Sequence, residues 1–578
     1  MKLILRFLKP HWKLFVTTVV LLTLDVIGGL FIPTLAAQML NQGTAGSSFG
    51  QLCRTGLLMA AAALASGACA IIGGYVCAVL VARVSKDMRM ALYEKSLKLS
   101  VYDFRHFGTA SITTRTVSDV NTIQMALTNT VQLILPVPII CIVALALCFR
   151  LDREIGLVLL AVIGVLLMLA GGIVYSAAPL FKKLQKLLDR MSAVFLENIT
   201  GVRVIRAFNC ESVEEERTDA AFEDYAVTSI KANRRFANLD GLSFFFINLF
   251  IIAVYYLSGA KISGGSLQIG DITAMIEYAI LVMFFLMMAQ MVILTLPRAL
   301  ECSDRIQEVL DHTPEIRDFT EENPPKPAEQ KDAVLEFRDV SFRFADAQEY
   351  ALRHLSFSCR RGETTAIIGG TGSGKSTIAS LALRFHDVTE GAVLLSGTDI
   401  REMTQNWLRD HLAYVQQKAW LFSGTIASNL RYGNEAATEE ELLHAAEIAQ
   451  AGELIRSLPD GLNAYVAQGG TNFSGGQKQR LSIARALVKK PELYIFDDSF
   501  SALDFKTDAA LRRALADETK DAAVLIIAQR VSTIRHAHQI VVLHEGEMAG
   551  IGTHEELMEN CQVYREIYES QTKEAQEE

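Results

Sequence analysis

The 578-residue sequence lacks several features that mark common classes of protein. Its nine cysteines form no C-x-x-C pair and no zinc-like grouping with histidine, which excludes a disulfide-rich domain and argues against a structural zinc site. The net charge of −9 provides no basic field, so no nucleic-acid partner is expected. An apolar content of 51% excludes disorder over most of the chain.

Charged residues are also scarce in long stretches of the first half. The run 57–82, for example, contains none. About 20 apolar residues at 1.5 Å each are needed to cross the hydrocarbon core of a bilayer. The sequence therefore predicts six membrane-spanning helices, and their ranges are 14–38, 56–82, 126–149, 155–181, 239–261 and 271–297.

Lysine and arginine are concentrated in the loops between the second and third spans and between the fourth and fifth. The other three loops together hold only four such residues, Arg54, Arg150, Arg153 and Lys261. Basic loops stay on the cytoplasmic side, which predicts a multi-pass protein of the cytoplasmic membrane with both termini in the cytoplasm. The two basic loops are long and helical in pattern, so the spans are expected to continue as helices beyond the membrane.

Prolines are few, and four of the twelve lie within fourteen residues, at Pro314, Pro324, Pro325 and Pro327. This cluster predicts a linker over 311–332, which separates a membrane domain (1–310) from a second domain (333–578). The second domain alternates short β-like runs with helical segments. The predicted fold class is therefore multidomain, with an all-α six-helix transmembrane domain followed by an α/β domain.

A phosphate-binding motif follows the apolar run 366–368. It matches G-x-x-x-x-G-K-[ST] before a predicted helix, and its residues are Gly369, Gly370, Thr371, Gly372, Ser373, Gly374, Lys375, Ser376 and Thr377. The glycines let successive N–H groups face phosphates, and the helix start adds its dipole. Lys375 is expected to reach the β- and γ-phosphates, and the Ser376 hydroxyl to hold Mg²⁺. ATP and Mg²⁺ are the predicted cofactors.

An apolar strand over 493–497 ends in Asp497, the Walker B pattern, and this carboxylate is expected to hold Mg²⁺ through water. A strand-end aspartate also serves as a turn residue or a helix cap, but the upstream phosphate motif favours the metal role.

A second anion-binding helix start is predicted near residue 474. Ser474 is a plausible N-cap, and Gly475 and Gly476 expose the first N–H groups before Gln477. The stretch Phe473-Ser-Gly-Gly-Gln477 resembles the signature motif of the ATP-binding cassette (ABC) family, and the order of spans, linker and cassette resembles an ABC exporter half-transporter. The resemblance covers essentially the whole chain and implies that these signature residues bind the ATP of a partner cassette.

The resemblance assigns further positions. Phe344 is similar to the aromatic residue that stacks on adenine, although a buried strand aromatic remains an alternative. Gln417 resembles the glutamine that contacts Mg²⁺, with the adjacent Gln416 as the other possible register. Ser501 and Asp504 resemble residues of the D-loop.

Two positions depart from the family pattern. Asp498 stands where the family has the glutamate that polarises the attacking water, and Gln529 stands in place of the switch histidine. Aspartate withdraws the carboxylate by roughly 1.5 Å, about one C–C bond, and misplacement of that size costs about 10²-fold in rate. Glutamine hydrogen-bonds a γ-phosphate but is no acid–base group. Either change alone could be drift. Together they predict a site that binds ATP and hydrolyses it poorly.

The signature shows no such change. In ABC proteins each ATP lies between the phosphate loop of one cassette and the signature of the other. The resemblance is therefore to the degenerate-site subunit of a bacterial heterodimeric multidrug exporter. The expected partner is a different half-transporter that carries the catalytic glutamate and the switch histidine.

Ionisable residues inside a membrane are costly and indicate function. Asp25 lies in the first predicted span and Glu277 in the sixth, where both could attract a cationic amphiphile. Each could instead bond a neighbouring helix or face water.

The predicted activity is export of hydrophobic or amphipathic small molecules, in contact with membrane lipid. Transport of a lipid or peptide, or a regulatory ATP-binding role, remain alternatives.

Overall fold

The computed structural model describes residues 2–264, 267–293, 295–318 and 332–577. The chain divides into one unit formed by Met1–Lys98 and Phe107–Thr313, and a second formed by Leu99–His106 and Pro314–Glu578. Residues 319–331 of the predicted linker lie outside the described ranges.

Helices account for nearly all of the described chain before residue 312. They are Lys2–Leu8, Lys9–His11 (3₁₀), Trp12–Thr44, Phe49–Lys98, Val101–Phe107, Thr109–Thr114, Arg115–Asp119 (π), Val120–Asn129, Thr130–Ile134 (π), Pro136–Leu151, Arg153–Thr200, Val202–Ala207, Glu211–Ser263, Ile269–Ile293 and Leu296–Asp311.

Six helical segments of the described residues are long and apolar enough to cross a membrane. They are Lys2–Thr44, Phe49–Lys98, Thr109–Leu151, Arg153–Gly172, Gly241–Gly259 and Ile269–Ala289. A helix of 50 residues such as Phe49–Lys98 is roughly 75 Å long at 1.5 Å per residue, far more than a bilayer core. The continuation of the spans as helices beyond the membrane stays a prediction, and helices of this length have room for it.

Close contacts between these helices depend on small residues. A Cβ added at Gly28 would lie 2.9 Å from the Cβ of Ser66, and one at Gly270 would lie 2.2 Å from the carbonyl oxygen of Ala37. Helices in lipid associate through such small-residue contacts because lipid provides no hydrophobic driving force between them. Large apolar side chains such as Leu57 and Tyr256 are exposed on the same unit, as suits a lipid-facing surface.

The described residues of the second unit form twelve strands. They are β1 (Ala333–Phe342), β2 (Leu352–Arg360), β3 (Thr364–Gly369), β4 (Glu390–Leu395), β5 (Thr398–Asp399), β6 (Leu412–Val415), β7 (Gly424–Thr425), β8 (Tyr465–Val466), β9 (Leu493–Asp497), β10 (Ala523–Ile527), β11 (Gln539–His544) and β12 (Glu547–Gly552). Its helices are Lys375–Ala382, Ile400–Glu402 (3₁₀), Gln405–Asp410, Ile426–Leu430, Glu439–Ile448, Gly452–Ser457, Gly461–Asn463 (3₁₀), Gln468–Gly470 (3₁₀), Gly475–Lys489, Phe505–Glu518, Val531–Ile534, His554–Asn560 and Gln562–Glu577.

The central sheet has the order β12-β11-β3-β10-β9-β6, and β12 alone is antiparallel to its neighbour. A smaller antiparallel sheet has the order β2-β1-β4-β5. Strand β9 is buried on both faces, with Tyr494 and Phe496 in one core and Leu493 and Ile495 in the other. Such continuous apolar strands are typical of a parallel sheet covered by helices on both sides.

Candidate functional site

The predicted phosphate and metal residues follow neighbouring strands of the central sheet. Strand β3 runs into the phosphate loop, β9 ends at Asp497, β10 ends two residues before Gln529, and β6 ends two residues before Gln417. These four strands are adjacent and parallel, in the order β3-β10-β9-β6. Their carboxyl ends therefore meet at one edge, the usual ligand position in an open α/β sheet.

Glycine is required at two points of the phosphate loop. Gly374 has φ +94°, and a Cβ there would lie 2.5 Å from the Cδ2 atom of Leu352. A Cβ at Gly369 would lie 2.3 Å from the carbonyl oxygen of Leu543. The loop ends at Gly374, the N-cap of the helix Lys375–Ala382, so backbone N–H groups and the helix dipole serve the same anion site.

Two polar side chains of this loop, Lys375 and Ser373, are relevant to anion binding. The Lys375 Nζ atom donates to the carbonyl oxygens of Gly369 and Gly370 at 2.7 and 2.6 Å, and burial lowers the pKa of its ammonium group. The buried Ser373 hydroxyl has no hydrogen-bond partner among the described residues. Thr371 and Gly372 are exposed, and Thr377 is half-buried in the first helical turn. These features fit a bound polyphosphate.

Asp497 is 4% exposed and lies beside the phosphate-loop helix. Its carboxylate accepts a hydrogen bond from the Ser376 hydroxyl at 3.2 Å and another from the Tyr414 hydroxyl at 3.2 Å. Burial raises the pKa of the Asp497 carboxyl, while both hydrogen bonds act to lower it. Ser376 and Asp497, the two oxygen donors expected for a divalent cation, are therefore adjacent.

A hydrogen bond joins Asp498 and Gln529, the two positions that depart from the family pattern. One carboxylate oxygen, Oδ2, accepts from Gln529 Nε2 at 2.9 Å and from Gln417 Nε2 at 3.0 Å. The backbone of Asp498 has φ +47°, a region that aspartate adopts more readily than most residues. Its N–H donates to the carbonyl oxygen of Ile527 at 2.8 Å, which fixes the start of this loop against β10.

The signature residues cap the start of a helix through two reciprocal hydrogen bonds. The Ser474 side chain accepts from the Gln477 N–H at 3.3 Å, and the Ser474 N–H donates to the Gln477 side chain at 2.8 Å. This capping box satisfies two groups at the start of the helix Gly475–Lys489. A Cβ at Gly476 would lie 3.1 Å from the carbonyl oxygen of Ala502, so the D-loop passes close by.

The two D-loop residues have local roles. Ser501 donates its hydroxyl to the carbonyl oxygen of Asp498 at 2.9 Å. Asp504 caps the helix Phe505–Glu518 by accepting from the Thr507 N–H at 2.9 Å, and this backbone bond lowers the pKa of its carboxyl.

Phe344 is half-buried in an aromatic group, with its ring centroid 4.8 Å from that of Phe342 and 5.4 Å from that of His386, both edge-to-face. The ring packs against the core on one side and is partly exposed on the other, so both roles predicted for Phe344 stay open.

In the membrane unit, Asp25 accepts a hydrogen bond from the Ser66 hydroxyl at 2.7 Å, so it bonds the next span. Glu277 is exposed on its helix, whereas the adjacent Tyr278 is buried and hydrogen-bonds Thr34 at 2.6 Å. Asp25 and Glu277 therefore share no hydrogen-bond partner among the described residues.

Three residues of the site were not predicted from the sequence. Tyr414 contacts Asp497, Gln479 donates to the Gln416 carbonyl oxygen at 3.1 Å, and Gln571 bonds the loop that carries Gln529. The last two are glutamines in helices, far along the chain from their partners, so no local motif indicates them.

The site combines a predicted phosphate loop, an adjacent carboxylate predicted to hold a metal ion and a second helix start predicted to bind an anion. The described residues also contain six apolar segments able to cross a membrane. Together these are the features of a membrane-embedded P-loop ATPase. The chain matches the model of the ABC transporter transmembrane region over residues 15–287 and the ABC transporter model over residues 352–501. It is 33% identical to an ABC transporter ATP-binding protein of Mycobacterium tuberculosis, over 99% of this chain and 98% of that protein.

The chain is also 31% identical to the ATP-dependent lipid A-core flippase of Desulfotalea psychrophila, over 86% of this chain and 87% of that protein. The solved structure of a bacterial Atm1-family ABC exporter with ATP bound matches with a TM-score of 0.80 and 26% identity, over 97% of this chain and 98% of that one. The chain therefore belongs to the ABC transporter family, as a six-span half-transporter of the exporter type. It is a multi-pass membrane protein with a cytoplasmic ATPase domain, and the predictions of family, fold class and location are confirmed.

Proposed function

We propose that this chain is one subunit of a heterodimeric ABC exporter and that its own phosphate-loop site binds ATP but hydrolyses it slowly. The supporting observation is the double hydrogen bond to Asp498 Oδ2 from Gln417 and Gln529. A carboxylate that already accepts two amide donors, on a side chain one methylene too short, is poorly placed to polarise water. Gln529 adds no proton acceptor, since its amide does not titrate.

Mg²⁺ fits the same edge of the sheet. Ser376 and Asp497 would hold it, and Gln417, whose amide nitrogen bonds the adjacent Asp498, would add its amide oxygen as a further ligand. When bound, the ion supplies positive charge that stabilises the transferring phosphoryl group. The residues themselves orient the nucleotide: Lys375 binds phosphate oxygens, and the loop glycines let N–H groups approach them.

The intact signature supports the partner proposal. Ser474, Gly475, Gly476 and Gln477 keep the family pattern and form a well-capped helix start. In a heterodimer this surface would complete the catalytic site of a partner half-transporter that carries the usual glutamate and histidine. Two copies of this chain would instead produce two impaired sites.

The proposed cargo is a hydrophobic or amphipathic small molecule, with a lipid as second candidate. Exposed Glu277 on a span rich in methionine supports a cationic amphiphile, because methionine adapts to varied apolar ligands. The lipid alternative is supported by the similarity to the lipid A-core flippase.

The ATPase activity of the full-length chain, purified alone in lipid nanodiscs, tests the impaired site. We expect slow MgATP hydrolysis, and an increase of roughly 10²-fold when Asp498→Glu and Gln529→His are combined. The matched control combines Asp460→Glu with Gln562→His, at exposed positions away from the site, and should leave the rate unchanged. Fast hydrolysis by the unmodified chain alone would contradict the proposal, as would transport by its homodimer.

A further inference from the structure

The C-terminal helix Gln562–Glu577 presents one regular face to the ATPase core. Tyr564, Ile567, Tyr568 and Gln571 follow the i, i+3, i+4, i+7 spacing of a single helical stripe. Tyr564 is fully buried, and its hydroxyl lies 2.8 Å from His554 Nδ1. Ile567 and Tyr568 pack on the core that also contains Val531 and Ile534. Tyr564, Ile567 and Tyr568 anchor the helix on the core, and this anchoring fixes the position of Gln571.

Gln571 makes two hydrogen bonds to one loop. Its Oε1 atom accepts from the Val531 N–H at 2.9 Å, and its Nε2 atom donates to the Gln529 carbonyl oxygen at 2.7 Å. The two bonds hold the backbone on both sides of Arg530. Only a side chain with a donor and an acceptor at its tip makes both, so glutamine suits this position.

The loop needs this support because it lacks a local cap. Val531 is the first residue of the short helix Val531–Ile534, and the first N–H groups of a helix have no intrahelical partner. Arg530, the N-cap residue, makes no side-chain capping bond. Gln571, 40 residues along the chain, accepts from the Val531 N–H, one of the unpaired donors at this helix start.

We infer that Gln571 is a positioning residue that holds residues 529–531, here called the switch loop, so that the Gln529 amide faces the edge of the sheet where the phosphate loop lies. The main chain of Gln529 is bonded to Gln571, while its side chain donates to Asp498 at 2.9 Å. Movement of the C-terminal helix would therefore reach Gln529 through the Gln571 side chain. The expected change in nucleotide affinity rests on the proposed function of Gln529. The two hydrogen bonds from Gln571 to the backbone, here called the clamp, do not depend on it.

Hydrogen–deuterium exchange of the full-length chain in nanodiscs tests the clamp directly. Gln571→Met removes both hydrogen bonds while keeping a similar side-chain volume. We expect amide exchange in 528–535 to become faster by about two- to tenfold, the factor that corresponds to the net free energy of one hydrogen bond. Gln562→Met, the same change at an exposed position of the same helix, should leave this segment unchanged. Strand 493–497 should be unaffected in both variants.

Exchange in 528–535 identical to wild type in Gln571→Met would overturn the inference. Faster exchange in strand 493–497 as well would do the same, because it would indicate general destabilisation. If Gln571→Met does not fold, Gln571→Asn, which is polar but one methylene too short, is expected to give the same local loss and is judged by the same criteria.

Nucleotide affinity then tests whether the clamp acts through Gln529. The dissociation constants of N-methylanthraniloyl-ATP and N-methylanthraniloyl-ADP are measured for wild type, Gln571→Met, Gln529→Ala and the double variant. We expect Gln571→Met to lower the preference for the triphosphate by about two- to tenfold, with no further loss in the Gln529→Ala background.

An additive loss in the double variant would contradict action through Gln529. Equal affinities of the wild-type chain for the two nucleotides would instead contradict the proposed role of Gln529, and the clamp would then be decided by the exchange result alone.

Discussion

The ATPase unit has two ends that are predicted to bind anions, and they differ in how far they keep the family pattern. At the phosphate-loop end, Asp498 and Gln529 replace the usual glutamate and histidine, and their side chains are hydrogen-bonded to each other. At the signature end, Ser474 through Gln477 keep the pattern and close a capping box. The same domain therefore combines an altered site with an intact one.

The difference is informative because the two alterations meet at one carboxylate oxygen. Asp498 Oδ2 accepts from Gln529 and from Gln417, so the three side chains form one network. A change at one member alters the partner available to the others, which gives a physical reason for both departures to occur together. In the proposed heterodimer the two ends serve different ATP molecules, and only one of those sites loses hydrolysis.

The strongest test of this comparison changes one residue at each end in the chain co-purified with its partner half-transporter. Gly475→Asp places a negative charge at the signature helix start, and we expect the ATPase rate of the assembly to fall by about 10²-fold or more. Lys375→Ala at the altered site should cost less than about tenfold. Lys418→Ala, at an exposed lysine outside the phosphate loop, is the control for the second variant. Equal losses at the two ends would break the comparison.

A second test concerns the rigidity of the phosphate loop. Gly374→Ala forces a Cβ into a backbone with φ +94°, 2.5 Å from the Leu352 side chain. We expect a loss of about 1–3 kcal/mol in the stability of the ATPase unit, measured as a lower Tm by thermal unfolding.

The matched control is Gly370→Ala, since Gly370 lies in the same loop in open space. Its effect on stability should stay within about 0.5 kcal/mol. Equal Tm values for the two variants would show that the tight contact at Gly374 does not limit the loop.

The central features of both ends could be predicted from the sequence because each is a contiguous motif. The run 369–377 and the helix start at Ser474 carry their own turn, cap and dipole chemistry, and Asp497 ends a recognisable strand. The contacts to Tyr414 and Gln571 could not be predicted in this way. Residues 414 and 497 are 83 positions apart and meet only because β6 and β9 pair in the sheet. Gln571 depends on the packing of a whole helix, which no local spacing specifies.

Tyr414 provides a third test, at the altered end. Tyr414→Phe removes the hydroxyl that donates to Asp497 and so raises the pKa of a carboxyl that burial already raises. Mg²⁺ requires the ionised carboxylate, and protonation of Asp497 sets in as the pH falls through its raised pKa. We therefore expect MgATP affinity to drop more at pH 6 than at pH 8, by at most about tenfold, from the loss of a charged hydrogen bond of about 1.5 kcal/mol.

Binding titrations of the Tyr414→Phe and wild-type chains at both pH values measure this effect, with Tyr432→Phe at an exposed tyrosine as the control. A loss of the same size at both pH values would mean that the hydroxyl acts on shape and not on the ionisation of Asp497.

The smallest expected effect separates the local from the intermolecular role of the signature serine. Ser474 and Thr438 are both exposed N-caps in capping boxes, and each accepts from the N–H three residues ahead at 3.3 Å. Ser474→Ala and Thr438→Ala should therefore each lower stability by about 1 kcal/mol, seen as similar small shifts in Tm. Only Ser474→Ala should also lower the ATPase rate of the assembled transporter, because only that hydroxyl would face the ATP held by the partner's phosphate loop. Equal rates for the two variants would assign Ser474 a capping role alone.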